Sequence, residues 1–246
     1  MKIIKIDAIN STNDYLKYTI SPDKKKSTTL VYTFNQKMGK GQRGNKWVSE
    51  PGKNIALSLA VFPKNFMVED LFFMNIFTSV FLFKFLESQK INNLKIKWPN
   101  DILSEKKKIC GILFESVVKK DIIEKLIIGI GINVNQTDFN GLKNASSIKL
   151  ISNKTINLDS LCHKLVQEIE KNLSFFKCPI SIKKNVVLSE YLTNLFGFKL
   201  FKSYRLSNGK KIKIKIIGVN NDGSIKTENE NGDIKKYYFK EIQLIY

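Results

Sequence analysis

Histidine and arginine are almost missing from this sequence. The one histidine in 246 residues, His163, falls in an amphipathic stretch without a set of partners, which argues against a catalytic dyad or a zinc site. Of 41 basic residues only Arg43 and Arg205 are arginine, so the formal charge of +19 rests on lysines spread through every segment. Readers of nucleic acid favour arginine for bidentate contacts. The charge therefore reads as a lysine-rich solvated surface, and specific DNA binding is not expected. Cysteine is scarce too: Cys110, Cys162 and Cys178 form no close-spaced pair, which fits a reducing, cytoplasmic setting and offers no metal site. The greasiest run, LFFMNIFTSVFLF (71–83), has 13 residues and contains Asn75. It is too short to span a bilayer and reads as a helix buried against a sheet, so no membrane partner is expected. MKIIKIDAIN is too short and charged for a signal peptide. A nucleophilic triad, a carboxylate pair for glycoside chemistry and a Walker loop are also missing.

What is present begins with GKGQRG (39–44), whose glycines have the spacing G-x-G-x-x-G. A dinucleotide fold needs that turn to follow a strand and open a helix, with an acid about 20 residues on. The strand TLVYTF (29–34) is there. The helix is not, because NKWVSEPGKN follows with Pro51 and Gly52. Two readings stay open from the residues alone. The loop, with Lys37, Lys40, Arg43 and Lys46, is either a mobile cradle for an anion or a solvated basic hairpin.

Hydrophobic residues make up 43% of the chain, enough for one large domain or one large and one small. Strands are expected at 2–6, 29–34, 54–62, 94–98, 106–118 and 125–135. The last two have near-continuous apolar runs that predict burial on both faces. A helix should open at Ser11, capped by it and reinforced by Asp14. Others are expected over 69–89, 158–173 and 182–195. From about residue 196 short period-two strands alternate with Asn-Gly and Asp-Gly turns. They predict a small all-β module, a barrel, with a domain boundary between 195 and 196.

Polar clusters collect at the strand ends. Asn100 and Asp101 follow Trp98-Pro99; they suit a turn, or a phosphate or base ligand (Asn) and a Mg²⁺ or ribose ligand (Asp). Lys108 precedes an apolar strand and either points into a site or belongs to a solvated turn. A site rich in Lys, Asn and Asp without a nucleophile suits phosphoryl or adenylyl transfer, where neutralising and positioning charge does most of the work.

STN (11–13), Q-x-x-G-x-G-x-x-G-x-x-W (36–47), KWPND (97–101), K-x-x-G-I-L-x-E (108–115) and G-x-G-I-N-x-N (129–135) occur in that order. Together they resemble the biotin protein ligases, biotin–[acetyl-CoA-carboxylase] ligases. The resemblance implies an α+β fold. A class II aminoacyl-tRNA synthetase-like catalytic domain (1–195), a mixed sheet flanked by helices, would be followed by an SH3-like barrel (196–246). It implies attack of biotin on Mg·ATP to give biotinyl-5′-AMP, then transfer to a lysine, in a hairpin turn, of a biotin carboxyl carrier protein. It also implies a homodimer. The glycine loop would then be a lid over the adenylate.

By motif position, Ser11, Thr12, Asn13 and Gln36 would line the biotin pocket, and Gly39, Lys40, Gly41 and Gln42 would wrap carboxylate and phosphate. Lys108 would reach both anions as the principal catalytic residue, helped by Lys40 and Arg43. Arg43, Trp47, Asn54, Asn100, Asp101 and Asn133 would build the adenylate site, with Asp101 also serving Mg²⁺. The family loop usually reads G-R-G-R-x-G-R-x-W. Here Lys40, Gln42 and Asn45 take the arginine positions, which predicts a weaker hold on the adenylate. Some relatives carry a helix-turn-helix domain first; this chain starts at the catalytic strand, so a form without that domain or its repressor role is expected. A lipoate ligase of the same fold group is the near alternative. A basic nucleic-acid-binding module is the distant one, to be recognised by affinity retained near about 200 mM salt.

Overall fold

The computed structural model describes residues 1–20, 27–178 and 183–245, with the backbone but not the side chain of Arg43. The first half holds β1 (Lys2–Lys5), α1 (Thr12–Thr19), β2 (Thr29–Thr33), β3 (Gly39–Lys40), β4 (Lys46–Trp47), β5 (Asn54–Val61) and α2 (Leu71–Ser88). Then come β6 (Leu94–Lys97), β7 (Asp101–Ser104), β8 (Lys107–Lys119) and β9 (Ile122–Asn133). Helices α3 (Ile148–Ser152), α4 (Leu158–Lys171), α5 (Leu173–Lys177) and α6 (Lys184–Asn194) lead to β10 (Lys202–Leu206), β11 (Lys211–Val219), β12 (Ile225–Asn229), β13 (Ile234–Tyr237) and β14 (Ile242–Leu244). Residue 182, where the last helix was expected to start, lies outside the described residues.

Seven strands form one sheet in the order β1-β2-β5-β9-β8-β7-β6, with β1 and β2 parallel and the remaining neighbours antiparallel. The expected mixed sheet is therefore present. Side chains alternate between its faces. Leu30, Tyr32, Leu59, Val61, Leu126 and Ile128 join the large core with α2, α4 and α6. Val31, Ala60 and Ile127 face the other way and pack on Leu16 of α1. Helix α2 is apolar because it is buried: Met74, Ile76, Phe77, Val80, Leu82, Phe83, Phe85 and Leu86 are all in the core. By length and composition alone, residues 68–88 would pass for a membrane span.

Two expectations need correction. Strand β9 is buried over most of its length, but β8 is buried only from Ile109 to Ile112, and Val117, Val118 and Ile122 at the β8–β9 tip are exposed. The apolar run of β8 covers a partner strand at one end and meets solvent at the other. The glycine loop, read as one long loop, instead closes into a ribbon. Gly39 pairs with Trp47 and Lys40 with Lys46, around a 3-10 turn at residues 42–44.

Helix α1 is short and gripped at both ends. Ser11 Oγ accepts from the Asp14 amide at 3.2 Å, the expected cap. At the other end Lys125 of β9, 2% exposed, donates its ammonium to the carbonyls of Lys17 (3.1 Å) and Ile20 (2.6 Å). Burial lowers the Lys125 pKa, with the nearby Lys17 charge adding to the effect. A cation at a helix C-terminus satisfies carbonyls that lack helical partners.

Strands β10–β14 form a separate antiparallel sheet in the order β13-β12-β11-β10-β14. It shares the large core with the rest of the chain through Tyr204, Ile214, Ile216, Ile225, Tyr237 and Ile242. Trp98 ties the two sheets together. Its indole N–H donates to the Gly223 carbonyl at 3.0 Å, and its ring meets Phe239 edge-on at 5.7 Å. The Trp98–Pro99 peptide is cis.

Candidate functional site

The site lies on the α1 face of the sheet, where three neighbouring strands lose their side chains row by row. The register sets Ala60, Ile127 and Glu115 side by side, then Ser58, Gly129 and Leu113, then Ala56, Gly131 and Gly111. The shrinking side chains leave a trough. The trough is occupied closely, so its glycines are required by contact. A Cβ on Gly129 would stand 2.4 Å from Asn13 Oδ1, and one on Gly131 would stand 2.6 Å from Trp47 Cε2.

Over this floor, the N-terminus of α1 supplies a polar wall. Ser11, Thr12 and Asn13 are 3–4% exposed. Gln36 Oε1 accepts from the Thr12 amide at 2.9 Å and lies 3.1 Å from Thr12 Oγ1. Ser58 Oγ lies 2.7 Å from Thr12 Oγ1 and 2.6 Å from Asn13 Oδ1. Asn13 Nδ2 donates to Glu115 at 2.8 Å, and Lys17 pairs with the same carboxylate at 3.3 Å. This wall, the glycine floor, Gly41, Gln42, Trp47, Asn100 and Lys108 enclose one cavity.

A second cavity opens beyond it, between the main sheet and the C-terminal sheet. Gly41, Gln42, Trp47, Asn100 and Lys108 line both, so the two adjoin at these residues. Asp101, Lys97, Lys46 and Asn45 face the second, opposite Phe239, Lys240 and Gln243. Lys108 stands at the junction. Its ammonium bonds Asp101 at 2.6 Å and lies 5.1 Å from the Trp47 ring centroid. Trp47 Nε1 is buried at the same junction without a hydrogen-bond partner, a donor left for an incoming acceptor.

Thus Ser11, Thr12, Asn13, Gln36, Lys40, Gly41, Gln42, Trp47, Asn100, Asp101 and Lys108 are gathered around the two adjoining cavities. Three others stand behind the lining. Gly39 meets Trp47 O and Gln36 Nε2 so closely that a Cβ there would lie 2.6 and 2.7 Å from them; it lets the ribbon approach the wall. Asn54 and Asn133, expected at the adenylate, line neither cavity. Asn54 spends its amide on Ser49 Oγ and Gln136 Oε1 and accepts from the Val134 amide. Asn133 donates to the Ser146 carbonyl at 2.9 Å, while its Oδ1 is buried without a partner. Both brace the chain at the end of β9. The Lys40 ammonium pairs with Asp14 of α1 at 2.7 Å, and this hydrogen bond raises its pKa. The Arg43 side chain lies outside the described residues.

Ser58 and Glu115 were not singled out as site residues from sequence, and Asp14 was read only as support for the start of α1. Glu115 and the three floor glycines lie inside quoted motifs, and the i, i+2 spacing of Gly129 and Gly131 in an apolar strand was the available signal for a bare face. Cys110 is buried on the same strand as Lys108, two residues on, and burial pushes its thiol up to about 12, so it is no nucleophile at neutral pH. His163 is exposed on α4, away from both cavities. For a metal, the described residues hold no cluster of three acid, histidine or cysteine groups. The single carboxylate at the second cavity, Asp101, fits Mg²⁺ only as a cation carried in mainly by substrate phosphates.

The comparisons with known proteins agree with this geometry. The chain is 29% identical, over 98% of its length, to the bifunctional ligase/repressor BirA of Bacillus spizizenii, of which it spans 74%. It is 33% identical, over 42% of its length, to the biotin–[acetyl-CoA-carboxylase] ligase of Paracoccus denitrificans, of which it spans 43%. The biotin protein ligase of Aquifex aeolicus, solved in complex with biotin and ATP, superposes with a TM-score of 0.77 at 28% identity, covering 99% of this chain and 98% of that one. A family model matches residues 6–133, more than half of the 246, and by that match the chain belongs to the biotin/lipoate A/B protein ligase family.

Proposed function

We propose that this chain is a biotin protein ligase, which activates biotin as biotinyl-5′-AMP and passes the biotinyl group to a lysine of a biotin carboxyl carrier protein. The observation that carries it is that the two cavities adjoin at Lys108. One cavity is narrow, with a hydrogen-bonding wall; the other is wide and flanked by Lys97, Asp101, Lys46 and Trp47. In this reading biotin widens the first, with its ring at Ser11–Gln36 and its carboxylate toward Lys108. ATP fits the second with its α-phosphate at the junction.

A carboxylate oxygen attacks the α-phosphorus, and the bond to pyrophosphate breaks. Anion meets anion, so barrier lowering falls to fixed cations and donors. Lys108 leaves Asp101 for the two anions, and Asp101 keeps that ammonium aimed at the junction between turnovers. Asp101 is the protein carboxylate that would hold Mg²⁺ brought by ATP, and the ion would supply further neutralisation of phosphate charge. The ribbon 39–47, hinged on the Gly39–Trp47 pairing, lies over the adenylate and excludes water. In the second step the acceptor ε-amine attacks the acyl carbon, loses a proton, and AMP leaves.

The same reading takes the fold as class II synthetase-like to residue 195 and SH3-like from 196. It also takes the chain as cytoplasmic, with its thiols reduced, and as a homodimer. Strand β1 supports the last point as a sheet edge with exposed Ile3.

The test is ATP–pyrophosphate exchange with biotin, lipoate or octanoate, for wild type and Lys108→Ala. Exchange with biotin alone, lost in the variant, is expected. Exchange with lipoate instead would overturn the substrate, and exchange with none of the acids would overturn the reaction.

A further inference from the structure

The hydroxyls of Thr12 and Ser58 make three contacts with two protons, and following those protons fixes which way the bonds run. Glu115 is a carboxylate paired with Lys17 at 3.3 Å, and a carboxylate only accepts. The atom of Asn13 that faces it at 2.8 Å is therefore Nδ2, which leaves Oδ1 as a pure acceptor. Ser58 Oγ is 2.6 Å from that oxygen and owns a single proton. Asn13 claims it. Ser58 Oγ then faces Thr12 Oγ1, 2.7 Å away, as an acceptor. That short contact needs a proton, and only Thr12 has one left to give, so Thr12 donates to Ser58 in preference to Gln36 Oε1 at 3.1 Å. Thr12 thereby turns a lone pair to the cavity. Ser11 Oγ already accepts from the Asp14 amide, so its own proton remains for the cavity, and Gln36 keeps its NH₂ donors.

We propose that Glu115, which does not line the cavity, is a positioning residue that sets the hydrogen-bond polarity of the substrate wall through Asn13, Ser58 and Thr12, and so selects an acid whose ring offers an N–H. The inference rests on the proposed ligase function. A cyclic urea presents N–H groups to Thr12 and a carbonyl to Ser11 or Gln36. A dithiolane or an alkyl chain presents neither, and would leave Thr12 and Ser11 buried and unpaired, which is how hydrogen-bonding sites reject analogues. The chain is stiffened by burial. Ser58 is fully buried, and Gly129 lets Asn13 lie flat on the floor, where any side chain at 129 would strike its Oδ1. Hydrogen bonds in such a line polarise one another, so the charge of Glu115 strengthens Thr12 as an acceptor.

Glu115→Gln keeps the shape and removes the rule. An uncharged amide offers Asn13 a donor or an acceptor, Asn13 turns over, and Thr12 is free to point its proton at the substrate. The experiment measures biotin-dependent pyrophosphate exchange for wild type, Glu115→Gln and Ser58→Ala, with biotin and with biotin N-methylated on both ureido nitrogens. Melting temperatures are read alongside. Wild type is expected to lose most of its activity with the methylated acid. Both variants should raise KM for biotin about 10- to 100-fold, the loss of one strong hydrogen bond, with kcat and KM for ATP little changed. The methylated acid should be penalised far less in the variants than in wild type. A rise in KM with the methylation penalty intact would mean that Glu115 merely supports the fold, and would overturn the proposal. An unchanged KM would overturn it as well. Wild type without biotin-dependent exchange would bring down the ligase reading itself, and the inference with it.

Discussion

Replacing Gly131 by alanine should damage the site and spare the fold. The new Cβ would stand 2.6 Å from Trp47 Cε2, 2.7 Å from Cζ2 and 3.0 Å from Nε1. Carbon atoms rest at about 3.5–4.0 Å, so the indole must retreat by roughly 1 Å. Trp47 is held by the main-chain pairing with Gly39, so the ribbon retreats with it and Lys108 loses its ring neighbour. A displacement of about 1 Å at reacting groups lowers rates on the order of 100-fold. Stability should move little or rise, because alanine in a strand is favoured over glycine by about 0.5–1 kcal/mol and the displaced indole borders open space. Gly218→Ala is the control: it is also in a strand, but its nearest new neighbour is Lys226 Cβ at 4.0 Å. The assay is kcat/KM for pyrophosphate exchange together with the melting temperature. Gly131→Ala with wild-type exchange, or with exchange and melting temperature lost together, would refute the idea that this glycine exists to admit Trp47.

Two further outcomes follow from other contacts. Gln42→Arg restores a guanidinium at the cavity junction and should slow escape of biotinyl-AMP about tenfold, while Asp14→Asn frees Lys40 and should speed it by no more than about fivefold, as an exposed ion pair allows; a chase experiment on the preformed adenylate reads both. At high pH the buried thiols should weaken the fold. Burial pushes Cys110 and Cys162 up to about 12 from 9.0, so the folded state holds its protons above pH 9 while the unfolded state releases them. Stability is then full below pH 9 and falls as pH rises toward 12, by about 2–3 kcal/mol per thiol at pH 11. Urea unfolding at pH 8 and pH 11 should show this fall in wild type and a smaller one in the Cys110→Ala, Cys162→Ala variant; equal falls would refute it.

Local chemistry was legible in the sequence and distant pairing was not. The cap at Ser11 is visible because its partner, Asp14, is three residues away, and the central strands of the main sheet are visible from their apolar, β-branched runs. The ribbon within 39–47 was hidden because Gly39 and Trp47 pair through backbone atoms that no side-chain pattern announces. Asn54 and Asn133 sat in the right motifs but turn their amides inward, and Asn54 finds Gln136, 82 positions later. Asn13 and Glu115 are 102 positions apart. Only the strand order, which puts β9 between β5 and β8, brings Ser58, Gly129 and Glu115 under α1. The α1 face of the sheet, bare where the motifs meet, is a property of three strands at once.

Helix α1, with eight residues, is too short to persist alone in water. Between the Ser11 cap and the buried Lys125 ammonium it nonetheless behaves as a fixture of the sheet. Whatever ordering the protein undergoes when substrates arrive must then fall on the glycine ribbon. Recognition and retention are thereby housed in separate parts with separate tolerances. Changes along the ribbon, including the lost arginines, can retune how long the intermediate stays without altering which acid is admitted. Changes behind α1 can do the reverse. A protein built this way can change widely in its lid while its choice of substrate stands still.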